Sequence, residues 1–525
     1  MSQPTDSNDT PIGRFDRYTR RHGRVLALGL TAALVLLRWI ACGRIDLLPE
    51  ETYYWNYAQH LDIGYLDHPP MVAWLIRFGT DLFGSTEFGV RAGALLCGIV
   101  TGAFVYRLTR NLFGERSALI ALVLSQALPF HFMAGMLMTP DAPLTAAWAA
   151  TLYFLERALI AGRPRAWWAV GFSLGLGLLS KYTIGMLGVA AALYMLIDAD
   201  ARRWLRRWEP YAAALVCVAV FSPVIIWNAR HDWASFAFQT SRRLAEQPRF
   251  SLQRLVAAAI VLLTPAGILA MTGTILRRRP PFMVSVLDRR TARAWRLLQL
   301  AVLVPLTVFA VFSLRHEVKL DWMGAPWVAA LPLIACSIDR ARSSGATFWR
   351  GLAHAWPPTL AALVLLYGIG FYYLALGIPG VGYSAQNELL PVGWRDFGTQ
   401  IDGIAADLRA HGAKELLVVG MDRYAIASEV AFYSKDQTRG VAETSSGHLF
   451  GGMGLMYERW FPPSALAGRD LLLVGWDVDS LDARVLSSRV DRLGPVVEGT
   501  LLHDGRLVRH YFHRAAFGYR PAVTK

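Results

Sequence analysis

Long apolar runs separated by short polar segments fill the chain from residue 25 to residue 374. A helix of about 17 to 25 apolar residues crosses the roughly 30 Å hydrocarbon core of a bilayer. The pattern therefore predicts about eleven membrane-spanning helices and excludes a single membrane anchor. The predicted spans are residues 25–41, 88–107, 117–137, 142–160, 166–180, 183–198, 210–227, 253–276, 297–314, 324–338 and 353–374. The first run resembles a signal peptide, but no small-x-small cleavage site follows it, so we interpret it as an uncleaved helix.

After the last long run the pattern changes to short elements typical of a water-soluble domain. A helical pattern covers residues 401–409, and strand-like runs cover 415–420 and 471–476. Two further runs, 496–502 and 506–512, flank an Asp-Gly pair and predict a β-hairpin. We therefore predict a polytopic α-helical membrane protein with a small C-terminal α/β domain. Its predicted parts are an N-terminal segment 1–24, a membrane domain 25–379 with an outer loop 43–88, and a tail domain 380–525.

Composition and charge support a membrane protein, because 54% of the residues are hydrophobic and only 18% are charged. The formal net charge of +14 comes mostly from arginines between apolar runs, which membrane topology explains without nucleic acid. With the N-terminus in the cytoplasm, about 25 Lys and Arg residues face inward and about 10 face outward, not counting the tail. This orientation predicts that the first loop and the tail lie outside the cytoplasm.

The cysteines and the short motifs exclude several kinds of site. Cys42, Cys97, Cys217 and Cys336 stand singly within or at the ends of apolar runs, with no CxxC pair and no metal-ligand spacing. Disulfides and a structural zinc site are therefore not expected. No GxGxxG, Walker or HExxH motif occurs, so a soluble nucleotide cofactor has no support in the sequence.

Two adjacent acids open an aromatic segment of the first loop, residues 49–60. Its mildly amphipathic pattern predicts a helix lying at the membrane interface, with Tyr54 among the aromatics at headgroup depth. Glu50 and Glu51 could supply a general base, because partial desolvation and mutual repulsion raise the pKa of one carboxyl toward the working pH. Acids also favour helix starts, so solvated or helix-capping roles are the alternative.

Asp67 and His68 precede two prolines that fix the backbone. His68 could hydrogen-bond a lipid phosphate, and Asp67 could orient that imidazole. The two side chains are also the candidate ligands of a divalent cation. A polar connection at the end of an interfacial helix is the alternative.

Three further polar groups lie at the predicted outer ends of spans. Asp141 precedes an apolar run, where capping of the next helix accounts for it as well as chemistry does. Lys181, followed by Tyr182, needs a partner, and either an anionic headgroup or Asp141 could supply it. Asn228 and His231 stand among tryptophans, a composition that both sugar or headgroup contacts and interfacial anchoring produce.

In these motifs the chain resembles glycosyltransferase family 39 of the GT-C membrane enzymes, which includes protein O-mannosyltransferases and bacterial lipid A aminoarabinose transferases. The resemblance covers roughly residues 25–340. Its carriers, in order, are Pro49-Glu50-Glu51-Thr52-Tyr53-Tyr54, Tyr65-Leu66-Asp67-His68-Pro69-Pro70, Thr139-Pro140-Asp141-Ala142-Pro143, Leu179-Ser180-Lys181-Tyr182 and Trp227-Asn228. Five ordered matches are more specific than any one of them.

The resemblance implies a sugar donor linked to undecaprenyl phosphate and a lipid A, glycan or protein acceptor at the periplasmic face of a bacterial inner membrane. It implies an inverting transfer in which Glu50 stands where the family usually has its catalytic aspartate, with Glu51 as the alternative base. His68, Lys181 and Arg91 are expected to stabilise charge on the leaving phosphate. The expected catalytic residues are Glu50, Glu51, Asp67 and Asp141, and the expected donor-phosphate or substrate contacts are His68, Lys181, Tyr182, Tyr54, Arg91, Asn228 and His231.

A transporter or flippase of lipid-linked sugars is the competing hypothesis. Such a protein should carry polar residues at mid-membrane, broken helices and paired repeats, whereas the polar residues of this chain gather on one side. An enzyme is therefore favoured over a transporter. Separately, we expect the tail to select the acceptor.

Overall fold

The computed structural model describes residues 11–240, 247–276, 289–341, 347–383, 390–434 and 443–522. The first ten residues of the predicted N-terminal segment 1–24 lie outside these ranges. The chain divides into two compact units. The helical unit comprises Met1–Trp39, Ala94–Ser222 and Arg242–Leu366, and the mixed unit comprises Ile40–Gly93, Pro223–Ser241 and Tyr367–Lys525.

Helices make up most of the described chain. The helices before residue 240 are α1 (Pro11–Cys42), α2 (Pro49–Gln59), α3 (Met71–Phe83), α4 (Glu87–Phe113), α5 (Glu115–Ala127), α6 (Pro129–Ala134), α7 (Asp141–Leu155), α8 (Ala166–Leu178), α9 (Gly185–Ile197), α10 (Glu209–Arg230) and α11 (Ala234–Gln239). The later helices are α12 (Leu252–Leu276), α13 (Arg289–Ser313), α14 (Ala330–Ala341), α15 (Thr347–Leu376), α16 (Trp394–Ala410), α17 (Ala425–Tyr433), α18 (Tyr457–Trp460) and α19 (Ala483–Leu486).

Among the described residues, seven helical segments are long and apolar enough to cross a membrane. These are His22–Cys42, Glu87–Phe113, Glu209–Arg230, Leu252–Ile275, Arg289–Ser313, Leu320–Ala341 and Thr347–Leu376. The chain is a multi-pass membrane protein, as the apolar pattern predicts.

The other four predicted spans form shorter or interrupted helices. Residues 117–137 divide into α5 and α6 at Leu128, because the residue before a proline is driven out of the helical region. Residues 142–160 form α7 and then a π-helical turn, Glu156–Ile160. The helices α8 and α9 contain 13 residues each, which is shorter than a single crossing requires.

The helical unit packs around a large cluster of buried apolar side chains. Trp148, Trp327 and Trp349 are among its largest buried members. Small residues allow close helix approach there, since a Cβ added at Gly171 would lie 2.2 Å from the Ala213 carbonyl oxygen.

The tail contains a five-stranded sheet in the order β2-β1-β3-β5-β4. Its strands are β1 (Leu417–Gly420), β2 (Thr444–Ser446), β3 (Leu471–Gly475), β4 (Val490–His503) and β5 (Arg506–Tyr519). The pairs β1–β2 and β1–β3 are parallel, whereas β3–β5 and β4–β5 are antiparallel. Asp504 and Gly505 have φ values of 49° and 73°, as a two-residue hairpin turn between twisted strands requires. The predicted α/β domain and its hairpin are confirmed.

The aromatic helix α2 is buried in the mixed unit and does not lie at a surface. Its aromatic side chains are at most 6% exposed. Trp55 packs edge-on against Phe432 of α17 with ring centroids 5.2 Å apart, and the Leu47 N–H donates to the Tyr433 hydroxyl at 2.8 Å. The expectation of an interfacial helix is therefore wrong. The first loop, which we assigned to the membrane domain, forms a compact unit with the tail.

Candidate active site

The start of α2 holds a buried ion pair between Glu51 and Arg91. The Arg91 Nε lies 2.9 Å from Glu51 Oε1, and Arg91 Nη2 lies 2.6 Å from Oε2. Both side chains are completely buried. Glu51 also accepts a hydrogen bond from the Leu48 N–H at 3.1 Å. Removing one partner of such a pair would leave an unpaired buried charge, which costs about 3–5 kcal/mol.

The same arginine fixes the entry to the loop. Its guanidinium donates to the carbonyl oxygens of Cys42, Ile45 and Asp46 at 3.1, 2.7 and 2.8 Å. A planar guanidinium that donates to one carboxylate and three backbone carbonyls fixes the position of the chain around it. This geometry favours a structural role for Glu51 and Arg91, and it singles out the neighbouring Glu50.

Glu50 is the partly exposed member of the acidic pair. It lies in the first turn of α2, where the positive end of the helix dipole stabilises a carboxylate. Burial and the charge of Glu50 together raise the pKa of the Tyr424 hydroxyl. A tail residue therefore lies within electrostatic reach of Glu50.

Asp67 is a buried carboxyl held by tyrosines of α2. The Tyr53 hydroxyl donates to Asp67 Oδ1 at 3.1 Å, and the Tyr57 hydroxyl donates to the same oxygen. The Asp67 carbonyl accepts from the Gln239 amide. Burial raises the pKa of the Asp67 carboxyl, while the hydrogen bonds from Tyr57 and Tyr53 oppose that rise because they favour the ionised form.

His68, the next residue, is partly buried and meets Tyr54 edge-on, with ring centroids 5.7 Å apart. The described residues contain no group of three or more His, Cys, Asp or Glu side chains that could hold a metal ion. A divalent cation at Asp67 and His68 stays a prediction, because hard cations often use only one or two protein carboxylates together with substrate phosphates.

Residues of the tail complete the surroundings of α2, and they were missed at the sequence level. The Tyr53 ring lies 4.6 Å from that of Tyr424, and the Tyr53 hydroxyl accepts from the Met456 N–H at 3.3 Å. His60 stacks on Trp460 with centroids 4.5 Å apart. The aromatic run at residues 457–461 was a visible signal, but nothing in the sequence connected it with the first loop.

The side chains of Asn228 and His231 make internal contacts at the turn between α10 and α11. Asn228 is buried; its amide donates to the Val224 carbonyl at 2.9 Å, and its Oδ1 accepts from the Ser235 N–H at 3.1 Å. His231 stacks on Trp227 with centroids 4.1 Å apart. This arrangement favours the anchoring alternative over substrate contact.

A second polar group lies in the helical unit around Lys181. Its ammonium nitrogen is 3.0 Å from both carboxylate oxygens of Asp141 and 2.9 Å from Asp321 Oδ2. Asp141 is the first residue of α7, and its carboxylate forms an ion pair with Lys181. Asp321 thus joins the two residues singled out from the sequence. Tyr182 packs edge-on against Phe221 at 5.9 Å.

The predicted site residues therefore fall into two sets. Those in the mixed unit are Glu50, Glu51, Tyr54, Asp67, His68, Arg91, Asn228 and His231, and those in the helical unit are Asp141, Lys181 and Tyr182.

Known proteins resemble this chain in sequence and in fold. Residues 67–227 match the family model of dolichyl-phosphate-mannose-protein mannosyltransferase. A lipopolysaccharide core galacturonosyltransferase, RgtA of Rhizobium johnstonii, is 26% identical over 72% of this chain and 75% of its own length. The lipid A galacturonosyltransferase RgtD of the same organism is 28% identical over 40% of this chain, and the match spans only 44% of that relative.

Among solved structures, ArnT from Cupriavidus metallidurans bound to undecaprenyl phosphate superimposes with a TM-score of 0.61. The alignment covers 94% of this chain and 98% of that one at 16% identity. At this level of identity the likeness establishes a common fold.

Proposed function

We propose that the chain is a GT-C membrane glycosyltransferase that transfers a sugar from an undecaprenyl-phosphate donor to an acceptor of the bacterial envelope, which the family match, the RgtA relative and the ArnT-like fold support. The two galacturonosyltransferases that it resembles are named for lipid A and for the lipopolysaccharide core. These names favour a lipopolysaccharide acceptor over a protein.

The observation that carries the proposal is the difference between two adjacent glutamates. Glu51 is fully buried and paired with Arg91, whereas Glu50 is partly exposed beside Tyr424. A general base must reach the proton that it removes. Glu50 meets that condition, and we assign the base to it.

In the proposed reaction the acceptor hydroxyl oxygen attacks the anomeric carbon while Glu50 takes the hydroxyl proton. The bond from the anomeric carbon to the phosphate oxygen breaks, and undecaprenyl phosphate leaves with the electron pair. Attack opposite the leaving group inverts the anomeric carbon. Stabilising the charge that develops on the phosphate is the largest expected contribution of the protein.

We assign the phosphate contact to His68. Lys181 and Arg91 were further candidates at the sequence level, and each of them is paired with carboxylates, Arg91 with one and Lys181 with two. His68 follows Asp67 in the same loop as Glu50 and meets the Tyr54 ring, and a histidine can donate to a phosphate oxygen.

Glu50→Gln tests the assignment of the base. The variant should fold and bind donor but lose transfer by a factor of about 100 or more, because the amide cannot accept the proton. Mass spectrometry of lipid A and core oligosaccharide from a complemented deletion strain measures the transfer. Glu50→Asp is the matched control, since it keeps the carboxylate and should retain part of the activity. A fully active Glu50→Gln would remove Glu50 from the role.

We further propose that the N-terminus is cytoplasmic and the tail periplasmic in the inner membrane. The arginine-rich segments between spans support this orientation through the preference of basic loops for the cytoplasm. Alkaline phosphatase is active only outside the cytoplasm, so a fusion after residue 380 should be active and an N-terminal fusion inactive. The reverse pattern would invert the proposed topology.

A further inference from the structure

One buried carboxyl of the tail has no part in the reaction proposed above. Glu429, on α17, is completely buried, and neither of its carboxylate oxygens has a well-formed hydrogen bond to a described residue. Thr52 lies near, but its hydroxyl donates to the Pro49 carbonyl at 3.1 Å. A carboxylate in such a place would be strongly disfavoured, because neither water nor a hydrogen-bond donor compensates its charge.

The charged and titratable groups that face Glu429 determine whether its carboxyl is protonated. They are Asp46, Glu51, Arg91, Tyr433 and Tyr457. Burial raises the pKa of Glu429 well above its ordinary value and the charges of Asp46 and Glu51 raise it further, whereas the nearby Thr52 hydroxyl and the charge of Arg91 oppose the rise. Since Arg91 is already bound bidentately by Glu51, Glu429 is stable next to this pair only with its proton.

Glu429 lies on the face of α17 that packs on α2. Residues 429, 432 and 433 share one side of a helix because they are three and four positions apart. Phe432 packs against Trp55, and Tyr433 accepts from the Leu47 N–H. Asp46, just before α2, and Glu51, in its first turn beside Glu50, both act electrostatically on Glu429.

We propose that Glu429 is a positioning residue for the first turn of α2, and that only its neutral carboxyl lets α17 close on that turn and hold Glu50 in place. Ionised Glu429 would put a third carboxylate beside Asp46 and Glu51, although Arg91 is already bound by Glu51 and Arg395, which faces Asp46, is paired with Glu87. Repulsion would then separate α17 from α2. The predicted effect on sugar transfer rests on the proposed function, whereas the effect on α2 does not.

The sign of the pH dependence follows from the raised pKa. A carboxyl that binds its proton more tightly in the packed state favours packing at low pH, and this contribution is lost as the pH rises through the raised pKa. Above that pKa the neutral fraction falls about tenfold for each pH unit. Glu429→Gln keeps the shape of the neutral side chain and cannot ionise. The packing of α17 on α2 should therefore not weaken in this variant as the pH rises.

The experiment compares the full-length wild type, Glu429→Gln and Glu498→Gln in lipid nanodiscs between pH 6 and pH 10. Glu498, an exposed carboxylate on β4 of the tail, serves as the matched control. Hydrogen exchange of residues 48–59, corrected for the intrinsic pH dependence of exchange, reports the packing of α2. Sugar transfer is measured on the same samples, and size-exclusion chromatography establishes that each variant folds.

We expect α2 protection and transfer to fall together with rising pH, about tenfold per unit, in the wild type and in Glu498→Gln, and both to persist in Glu429→Gln. If Glu429→Gln loses them at the same pH as the wild type, or if wild-type protection does not depend on pH, the positioning role is wrong. If protection behaves as expected but no chain transfers sugar at any pH, the proposed function fails and the coupling of Glu429 to α2 stands.

Discussion

Asp67 shows how neighbouring hydroxyls adjust a buried carboxyl. Two tyrosine hydroxyls of α2 donate to one of its oxygens. Hydrogen bonds to the ionised form lower a carboxyl pKa, whereas burial raises it. Burial is the larger effect at Asp67, so its pKa is above the ordinary value despite these donors.

Tyr57→Phe should raise the pKa of Asp67 further, because the phenyl ring removes one donor and leaves the burial unchanged. If transfer needs ionised Asp67, activity is lost as the pH falls through this pKa. The acidic limb of the pH–rate profile should then move to higher pH, by up to about one unit for a lost charged hydrogen bond of about 1.5 kcal/mol.

Tyr65→Phe is the control for that measurement. The Tyr65 hydroxyl is also buried, but it donates to the carbonyl oxygens of Tyr57 and His60 and not to Asp67. If the acidic limb of the pH–rate profile does not shift in Tyr57→Phe, or shifts equally in Tyr65→Phe, the ionisation of Asp67 does not determine that limb.

At the residue scale, the sequence could identify acids and cations but not their partners. Lys181 needed an anion, and Asp141 was a predicted alternative that the ion pair confirms. Tyr53 and Met456, in contrast, form a hydrogen bond across 403 residues of chain. No local pattern reports a contact of that separation, so Glu429 and Tyr424 were not identified from the sequence.

At the scale of elements, apolar length predicted the helices well and their surroundings poorly. A run of tyrosines and tryptophans suits both a membrane interface and a buried helix. Helix α2 packs on α3 of its own loop and on α17 of the tail, so the choice between these two environments depends on tertiary structure. The interruption at Leu128, before Pro129, was visible in the sequence and was missed.

Trp227, near the end of α10, packs closely against Gly64 of the first loop. This contact is possible because glycine has no side chain. A Cβ at this position would lie 2.6 Å from the Trp227 ring, whose Nε1 donates to Asp62 at 2.9 Å. Gly64→Ala should therefore displace Trp227 and destabilise the protein by about 1–3 kcal/mol, as overpacking does. Thermal unfolding in detergent measures the change.

Gly403→Ala is the matched control with the opposite expected sign. Gly403 lies inside α16, and an added Cβ would meet nothing within 4 Å. Alanine should stabilise this helix by about 0.5–1 kcal/mol, because glycine loses more backbone entropy on folding. Equal and neutral effects of the two substitutions would show that Trp227 adapts to the added methyl group.

At the scale of the whole molecule, the first loop and the tail form one compact unit although more than 280 residues of chain separate them. The hydropathy pattern predicted a loop at 43–88 and a tail at 380–525, but it could not show that the loop folds with the tail. We expected the tail to select the acceptor. Since α17 also packs against α2, the tail has a structural role in addition.

Removing residues 385–525 distinguishes these two roles. If the tail only selected the acceptor, the shortened chain would still transfer sugar, to other acceptors. Because the truncation removes Phe432, Tyr433 and the rest of α17, we expect α2 to lose its packing and transfer to every acceptor to fall below detection. Mass spectrometry of lipid A, core oligosaccharide and envelope proteins measures this, with the amount of shortened chain in the membrane as the control. Transfer to a new acceptor at normal membrane levels would restore the narrower role of the tail.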